Sequence, residues 1–198
     1  MNVIEVKELT VEFNQGDTNF VAVDRLNFSI AEGEILGLIG ESGSGKSVAS
    51  QSISQLIPQA KVSGEVNVHT HKGSVELISA DASTLQDIRQ GEISYIFQEP
   101  MTALNPLMRC GAQIKECQEL SGNQDTAIEE LLSKVELHDH NRMLKAYPHE
   151  LSGGQRQRIM IAMALGEAPR LLIADEPTTA LDIAVQNVIL DLLLHLAR

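Results

Sequence analysis

Basic residues, cysteines and long apolar stretches are scarce in this sequence of 198 residues. Its 15 lysines and arginines are outnumbered by 27 aspartates and glutamates, so the formal net charge is −12. Because this charge repels phosphate backbones, nucleic acid is not expected as a partner. The sequence contains no run of about eighteen apolar residues and does not open with a basic segment followed by an apolar one. We therefore expect no segment that crosses a membrane or directs secretion.

The two cysteines, Cys110 and Cys117, lie seven residues apart on a predicted helix. A metal site or a disulfide would need further ligands or an oxidising compartment. We therefore interpret both as buried, reduced thiols on one helix face.

A glycine-rich loop at residues 40–47 carries the strongest chemical signal. It fits the pattern G-x-x-x-x-G-K-[ST], in which backbone N–H groups turn inward on the β- and γ-phosphates of a nucleotide and glycines permit the unusual dihedrals. Lys46 would add a positive charge beside these phosphates, and the Ser47 hydroxyl would bind Mg²⁺. The residues expected to bind the nucleotide here are Gly40, Glu41, Ser42, Gly43, Ser44, Gly45, Lys46 and Ser47.

The flanks of this loop have the strand–loop–helix order of a nucleotide site. Ile35–Ile39 is a short apolar run, which predicts a buried parallel strand. Residues 46–57 predict a helix that Pro58 ends. With both flanks present, a phosphate loop is favoured over an ordinary Gly/Ser-rich turn.

Acidic and amide side chains follow two other predicted strands. The run Leu171–Ala174 predicts a second buried strand, and it is followed by Asp175 and Glu176. Because adjacent side chains point to opposite faces, Asp175 suits the Mg²⁺ shell and Glu176 suits the general base for the attacking water. Gln98 follows the predicted strand Ile93–Phe97, and its neutral amide can contact both Mg²⁺ and this water.

These motifs, together with Leu151–Gln155, occur in the order found in ATP-binding cassette (ABC) transporters, and the chain resembles their ATP-binding subunits over essentially its whole length. The resemblance implies an α/β fold: a P-loop NTPase core with a small antiparallel β subdomain and an inserted helical subdomain. It also implies that ATP and Mg²⁺ are held between two such subunits. The residues implied in contacting the opposite subunit and its nucleotide are Ser152, Gly153, Gly154, Gln155 and Asp182.

Physical reasoning supports the role of Ser152. It precedes Gln155–Leu165, whose apolar spacing predicts a helix, so the helix N-terminus presents N–H groups and the positive end of a dipole. For the adenine ring, the resemblance points to Phe13 at the end of an N-terminal strand. Phe20 competes for this role, and either ring could belong to the core instead.

Segments at residues 97–106, 147–154 and 180–186 are similar to those of oligopeptide, dipeptide and nickel importers. The narrower resemblance implies ATP hydrolysis that powers import of a small solute such as a peptide or nickel. The implied partners are a second ABC ATPase subunit, identical or different, transmembrane permease subunits and, indirectly, a solute-binding protein. The implied location is peripheral, on the cytoplasmic face of the inner membrane. We expect Gln98–Pro106 to receive a short helix from a membrane subunit, although a simple connector is the alternative.

We expect one ABC domain over residues 1–198, incomplete at its carboxy terminus. Residues 1–97 would form the core and β subdomain, 98–165 the helical subdomain, and 166–198 the return to the core. Predicted strands and helices are Val3–Phe13, Val21–Ile30, Val62–His69 and Val75–Ser79, then Arg109–Leu120, Thr126–Val135 and Ile183–Ala197.

The sequence departs from the family at its end, because the strand that ends in a γ-phosphate-binding histidine is absent. His195 falls on the polar side of a predicted helix and is not assigned that role. We expect weak stability and little hydrolysis. Alternative functions are a soluble ABC ATPase of DNA repair or translation and a hydrolysis-deficient fragment; a small kinase would not need Leu151–Gln155.

Overall fold

The computed structural model describes residues 1–16, 18–99, 103–123, 125–178 and 183–196. Contacts divide the chain into two compact units, residues 1–89 and 90–198. Both helices and strands are present, which agrees with the α/β prediction. The finer division at residues 97 and 165 stays a prediction.

An antiparallel sheet forms the centre of the first unit. Its four strands are β1 (Asn2–Gln15), β2 (Thr18–Ala31), β3 (Ala60–Thr70) and β4 (Gly73–Glu76). The strand order is β2-β1-β3-β4. Alternation buries Ile4 and Val6 on β1 and Val66 and Val68 on β3. A β-bulge at Glu8, whose φ is 50°, shifts the register of β1, so the buried positions continue as Leu9 and Val11. The small antiparallel sheet predicted from alternating residues is confirmed.

Strand β4 ends three residues earlier than predicted. The Glu76 carboxylate accepts hydrogen bonds from the N–H groups of Ile78 and Ser79, at 3.0 and 2.7 Å. These N–H groups are turned toward a side chain, so the bond from the Leu77 N–H to the Val66 carbonyl, at 2.8 Å, is followed by no further strand pairing at Ile78 and Ser79.

Two helices accompany this sheet: α1 (Lys46–Ile53) and α2 (Ala82–Gly91). Sequence analysis did not predict α2, and it placed the end of α1 four residues too late. Gln55 adopts a left-handed φ of 52°, and the Arg89 guanidinium binds the carbonyls of Ser54 and Gln55 at 2.8 and 2.7 Å. The chain therefore turns before Pro58.

The predicted buried strand at Ile35–Ile39 is wrong in this structure. The segment has no strand assignment, and among the described residues it joins neither sheet. Its apolar side chains are exposed, with Ile35 at 54% and Ile39 at 95%. A parallel strand is buried when it lies inside a sheet whose two faces are covered, and in the described part of the chain neither sheet includes this segment.

The second unit contains a parallel pair of strands, β5 (Ile93–Ile96) and β6 (Leu171–Ala174). Both predicted strands are confirmed, but burial of the second is only partial. Leu171 is buried, whereas Ala174 is exposed, because in the described part of the chain β6 is hydrogen-bonded on one side only.

Helices make up the rest of this unit: α3 (Cys110–Ser121), α4 (Ile128–Lys134), α5 (His140–Lys145), α6 (Gly153–Gly166) and α7 (Ile183–Leu196). Their shared core includes Ile114, Leu131, Leu132, Ile159, Ile161 and Ile189. No helix in the described ranges is long and apolar enough to cross a bilayer.

The helix predictions hold with small shifts, although α5 was missed. Helix α4 begins two residues later than predicted because the Thr126 carbonyl accepts a hydrogen bond from Gln118 Nε2 at 2.6 Å, while Ala127 is extended. His195 is exposed on α7, as predicted.

The cysteines on α3 are both free thiols, as predicted. Burial raises the pKa of Cys110 to about 11, and burial together with nearby Glu167 raises the pKa of Cys117 to about 12. Cys110 is fully buried, but Cys117 is only half-buried.

Candidate functional site

The glycine-rich loop closes directly onto the N-terminus of α1. Gly43 and Gly45 have φ angles of 81° and 91°, in the left-handed region that glycine adopts without a steric penalty. Gly45 is the N-cap residue, and no side-chain hydrogen bond caps this end of the helix. The loop therefore leads to a helix end whose dipole favours an anion.

Gly45 also fixes the loop against strand β2. A Cβ atom at this position would lie 2.4 Å from the Ala22 carbonyl oxygen and 3.6 Å from Val23 Cγ2. Only glycine permits this close approach of two backbones. The phosphate loop and the middle of β2 are thus in contact within the first unit.

The Lys46 ammonium lies over the carbonyl side of the loop. Its Nζ donates hydrogen bonds to the oxygens of Gly40 and Glu41 at 3.0 and 2.8 Å. The ammonium of Lys46 is therefore held beside the loop backbone by two carbonyl oxygens.

In the second unit, the structure brings Gln98 and Glu176 together. Gln98 Nε2 donates a hydrogen bond to Glu176 Oε2 at 2.8 Å. Glu176 is exposed and has a φ of 44°. This strained backbone carries the carboxylate away from the strand direction, into reach of the amide.

Asp175, in contrast to the exposed Glu176, is buried. It is 7% exposed, its N–H donates to the Ile96 carbonyl at 3.0 Å, and Tyr95 Oη donates to Asp175 Oδ2 at 3.0 Å. Tyr95 was missed by sequence reasoning, although its hydroxyl in the middle of an apolar strand is a signal that a polar partner lies nearby.

Ser152 caps helix α6. Its Oγ accepts a hydrogen bond from the Gln155 N–H at 3.3 Å, and its own N–H donates to Gln155 Oε1 at 3.1 Å. This capping box extends the helix two residues beyond its predicted start, to Gly153. The predicted helix N-terminus is confirmed, and Ser152 and Gly153 are exposed there.

Arg156, which sequence reasoning also missed, fixes the segment before this cap. Its Nε donates to the carbonyls of Pro148 and Leu151 at 2.8 and 2.9 Å. These two bonds fix the backbone that leads to the exposed Ser152 and Gly153. Asp182, the other residue expected to contact a partner, lies outside the described residues.

The loop expected to meet a membrane subunit is described from residue 103. Gln113, which is 3% exposed, uses both ends of its amide to hold this loop. Its Oε1 accepts from the Asn105 N–H at 2.9 Å, and its Nε2 donates to the Asn105 and Met108 carbonyls at 3.0 and 2.9 Å. Leu107 follows directly after the predicted segment and is 88% exposed.

A comparison with protein families decides the class of protein. The family described as ABC transporter matches residues 23–179, a range that includes the glycine-rich loop, Ser152 and the acidic pair. The chain belongs to the ABC transporter family. This match confirms the predicted family.

Three curated ABC relatives are similar over nearly the whole chain. The oligopeptide transport ATP-binding protein OppD of Escherichia coli is 45% identical over 201 residues, which is 99% of this chain and 59% of the relative. The dipeptide transport ATP-binding protein DppD of Haemophilus influenzae is 42% identical over 205 residues, which is 100% of this chain and 61% of the relative. The peptidoglycan transport ATP-binding protein YejF of Agrobacterium fabrum is 48% identical over 198 residues, which is 96% of this chain and 36% of the relative. The chain thus spans 36% to 61% of the length of these relatives.

Solved ABC structures share the fold. A dimeric, post-hydrolysis state of the ATP-binding cassette MJ0796 with ADP and Pi aligns with a TM-score of 0.81 and 30% identity, covering 98% of this chain and 83% of that one. Another dimeric structure of MJ0796 aligns with a TM-score of 0.82 and 31% identity, covering 98% of this chain and 82% of that one. The predicted fold class, an α/β ABC cassette, is confirmed.

Proposed function

We propose that this chain is an ATP-binding subunit that hydrolyses ATP to power the import of a small solute. The observation that carries the proposal is the phosphate loop, in which Gly45 packs against β2 and leads into the N-terminus of α1. The names of the relatives, which include oligopeptide and dipeptide transport proteins, support a peptide or a related solute. Nickel and glutathione remain within the same proposal.

ATP and Mg²⁺ fit the residues that are present. The left-handed Gly43 and Gly45 lead the loop into the N-terminus of α1, and such a helix end attracts an anion. Mg²⁺ prefers oxygen ligands. The side chains proposed to bind it are those of Ser47, Gln98 and Asp175. When bound, Mg²⁺ neutralises charge on the phosphates.

Glu176 is proposed as the general base. Its carboxylate would accept a proton from water as the water oxygen attacks the γ-phosphorus and the bond to the β–γ bridging oxygen breaks. The hydrogen bond from Gln98 Nε2 restrains the carboxylate, and the amide oxygen of Gln98 would be the atom that serves as an Mg²⁺ ligand. Tyr95, by bonding Asp175 Oδ2, would orient the second carboxylate.

Two subunits are proposed to join head to tail. The exposed N-terminus of α6, with Ser152, Gly153, Gly154 and Gln155, would contact the γ-phosphate held by the other subunit's loop, because a helix N-terminus attracts an anion. Asp182 would face the partner. Loss of the γ-phosphate contacts after hydrolysis would reopen the pair.

Permease subunits are the proposed membrane partners, with a solute-binding protein acting through them. Exposed Leu107, beside Asn105, which Gln113 holds, supports a docking role on the cytoplasmic face of the inner membrane. The acidic net charge of −12 disfavours the alternative, a soluble cassette that acts on DNA or ribosomes.

Substitutions in the two units test the proposal separately. Lys46→Ala should weaken Mg·ATP binding more than about tenfold, measured by calorimetry. Glu176→Gln should preserve binding and lower hydrolysis by about 10²–10⁴-fold, while favouring a nucleotide-bound dimer in light scattering. Unchanged affinity in the first variant, or unchanged hydrolysis in the second, would contradict the assigned role.

Import is tested in cells that lack the gene. Uptake of labelled di- and oligopeptides, glutathione and nickel should fall for one of these solutes and return with the wild-type gene. The Glu176→Gln gene should not restore it. Normal uptake of all of these solutes would refute the import proposal.

A further inference from the structure

Helix α1, whose N-terminus follows the phosphate loop, is short. It has eight residues, Lys46–Ile53, and is therefore about 12 Å long. An isolated helix of this length is marginal in water, so its position depends on contacts with the rest of the first unit. At its N-terminal end, Gly45 packs against the Ala22 carbonyl. One contact leaves the helix free to pivot, so the direction of its axis depends on what holds the other end.

Arg89 of α2 holds the C-terminal end of α1. Its Nε donates a hydrogen bond to the Ser54 carbonyl at 2.8 Å, and its Nη2 donates one to the Gln55 carbonyl at 2.7 Å. Ser54 is the C-cap residue of the helix. Two donors of one planar guanidinium fix the orientation of the backbone that they bind as well as its distance. The positive charge of Arg89 also suits the negative end of the helix dipole.

The surroundings of this contact are buried. Ser52 and Ser54 are 0% and 3% exposed, and within the described part of the chain their hydroxyls have no hydrogen-bond partner. The serine side chains therefore do not hold this end of α1. Gln55 has a left-handed φ of 52°, a backbone conformation that persists only where its surroundings fix it. Arg89 thus ties the end of α1 to a second element, α2.

We infer that Arg89 is a positioning residue for nucleotide binding, because it sets the direction in which α1 presents its N-terminus to the phosphates. The inference rests on the proposed binding of ATP and adds to that site a residue outside the phosphate loop.

The geometry of α1 shows how far this effect reaches. A displacement of about 2 Å at the C-terminal end tilts a helix of about 12 Å by about 10°. Binding groups must be held within about 0.5 Å and 10–20° of their productive geometry. Loss of the Arg89 guanidinium should therefore weaken the binding of phosphates by Lys46 and Ser47, although Arg89 itself touches neither residue's proposed ligand.

Titrations of Arg89→Ala with two ligands test this inference. Mg·ATP and magnesium tripolyphosphate, which has neither base nor ribose, are titrated by calorimetry at a temperature at which circular dichroism shows each variant to be folded. Arg89→Ala should weaken the binding of both ligands by the same factor, about five- to hundredfold, because the N-terminus of α1 is proposed to contact only phosphates. A purely structural role of Arg89 would lower the temperature of unfolding and leave both dissociation constants unchanged, which would overturn the inference.

Arg89→Lys separates the charge of this side chain from its planar fork. The ammonium keeps the charge but lacks the paired, coplanar donors of the guanidinium. The variant should bind both ligands more weakly than the wild type and at least as well as Arg89→Ala. It also decides the question if Arg89→Ala does not fold. Wild-type affinity in Arg89→Lys would overturn the inference.

Val68→Ala is the matched control for lost stability. Val68 is 1% exposed on β3, where it lies opposite Ile4 of β1 and Val75 of β4, so its truncation destabilises the same unit. It should lower the temperature of unfolding and keep the wild-type affinity for both ligands. Gln86→Ala, at an exposed position of α2, should change neither property.

Two further results would count against Arg89 as a positioning residue. One is a loss of affinity in Val68→Ala equal to that in Arg89→Ala, because lost stability alone would then explain both. The other is a loss in Arg89→Ala that differs between Mg·ATP and tripolyphosphate. Binding of neither ligand by the wild type would instead refute the proposed ATP site, and the inference with it.

Discussion

Gln98 Nε2 donates a hydrogen bond to Glu176 Oε2 at 2.8 Å, which links the segments that follow two neighbouring parallel strands. The amide restrains the carboxylate without carrying a titratable proton. A base held in this way stays able to accept a proton from water. The contact also shows why Gln, and not a second carboxylate, suits this position.

Two substitutions of Gln98 therefore distinguish the effect of losing the hydrogen bond to Glu176 from the effect of adding a negative charge beside it. In Gln98→Glu, a second carboxylate replaces the amide donor, so like-charge repulsion is added to the loss of the hydrogen bond. Gln98→Ala removes the restraint without adding charge. Hydrolysis, measured as phosphate release, should fall in both variants, by at least about tenfold in Gln98→Glu and by less in Gln98→Ala. Equal rates for the two variants would contradict this explanation.

Gly45→Ala should damage the phosphate loop. The new methyl group would meet the Ala22 carbonyl oxygen at 2.4 Å, and alanine is strained at a φ of 91°. We expect a loss of stability of about 1–3 kcal/mol, seen in thermal unfolding, and loss of Mg·ATP binding. Gly37→Ala is the control, because a Cβ there meets nothing within 4 Å. Equal behaviour of the two variants would show that the contact with β2 is unimportant.

Ser152 is expected to serve both stability and binding. Ser152→Ala removes the cap of α6 and should cost about 1 kcal/mol of unfolding free energy. Ser152→Asp keeps a capping oxygen and hence stability, but places a negative charge where the partner's γ-phosphate is proposed to bind. In chemical denaturation, the unfolding free energy of Ser152→Asp should be higher than that of Ser152→Ala. Nucleotide-dependent dimerisation should be lost in both variants. A Ser152→Asp variant that still forms dimers would exclude the phosphate contact.

Glu76 should make the first unit sensitive to acid. Burial by itself opposes its ionisation, but hydrogen bonds from the Ser79 hydroxyl and from the N–H groups of Ile78, Ser79 and Val66 together lower its pKa. Because the folded pKa lies below the unfolded value, this stabilisation is present at neutral pH and is lost as the pH falls through the folded pKa. The unfolding free energy should therefore fall in acid more steeply for wild type than for Glu76→Gln. Parallel pH profiles would contradict this assignment.

Local sequence signals predicted most of this architecture. Alternation along Val3–Phe13 and Val62–His69 gave the antiparallel strands, since one buried face demands that period. The serine before Gln155–Leu165 gave the start of α6, because a capping box is encoded within four residues. The phosphate loop was visible for the same reason: its dihedral demands fall on glycines within one short segment.

Features that depend on distant partners were missed. The bonds of Arg89 to Ser54 and Gln55 shorten α1, and the run of residues 46–57 contains no sign of them. Tyr95 and Asp175 are 80 residues apart in the chain. Ile35–Ile39 has the composition of a buried strand, yet composition does not specify which neighbours supply its hydrogen bonds.

The exposure of Ile35–Ile39 has a consequence for the chain outside its folded state. Four of the five residues of this run are isoleucine or leucine, and an exposed apolar run of this kind can associate between copies of the chain. Glu32 and Glu34 precede the run and Glu41 follows it, and such flanking charges act as gatekeepers against self-association. Two copies that meet through this run would therefore bring like charges together at both of its ends.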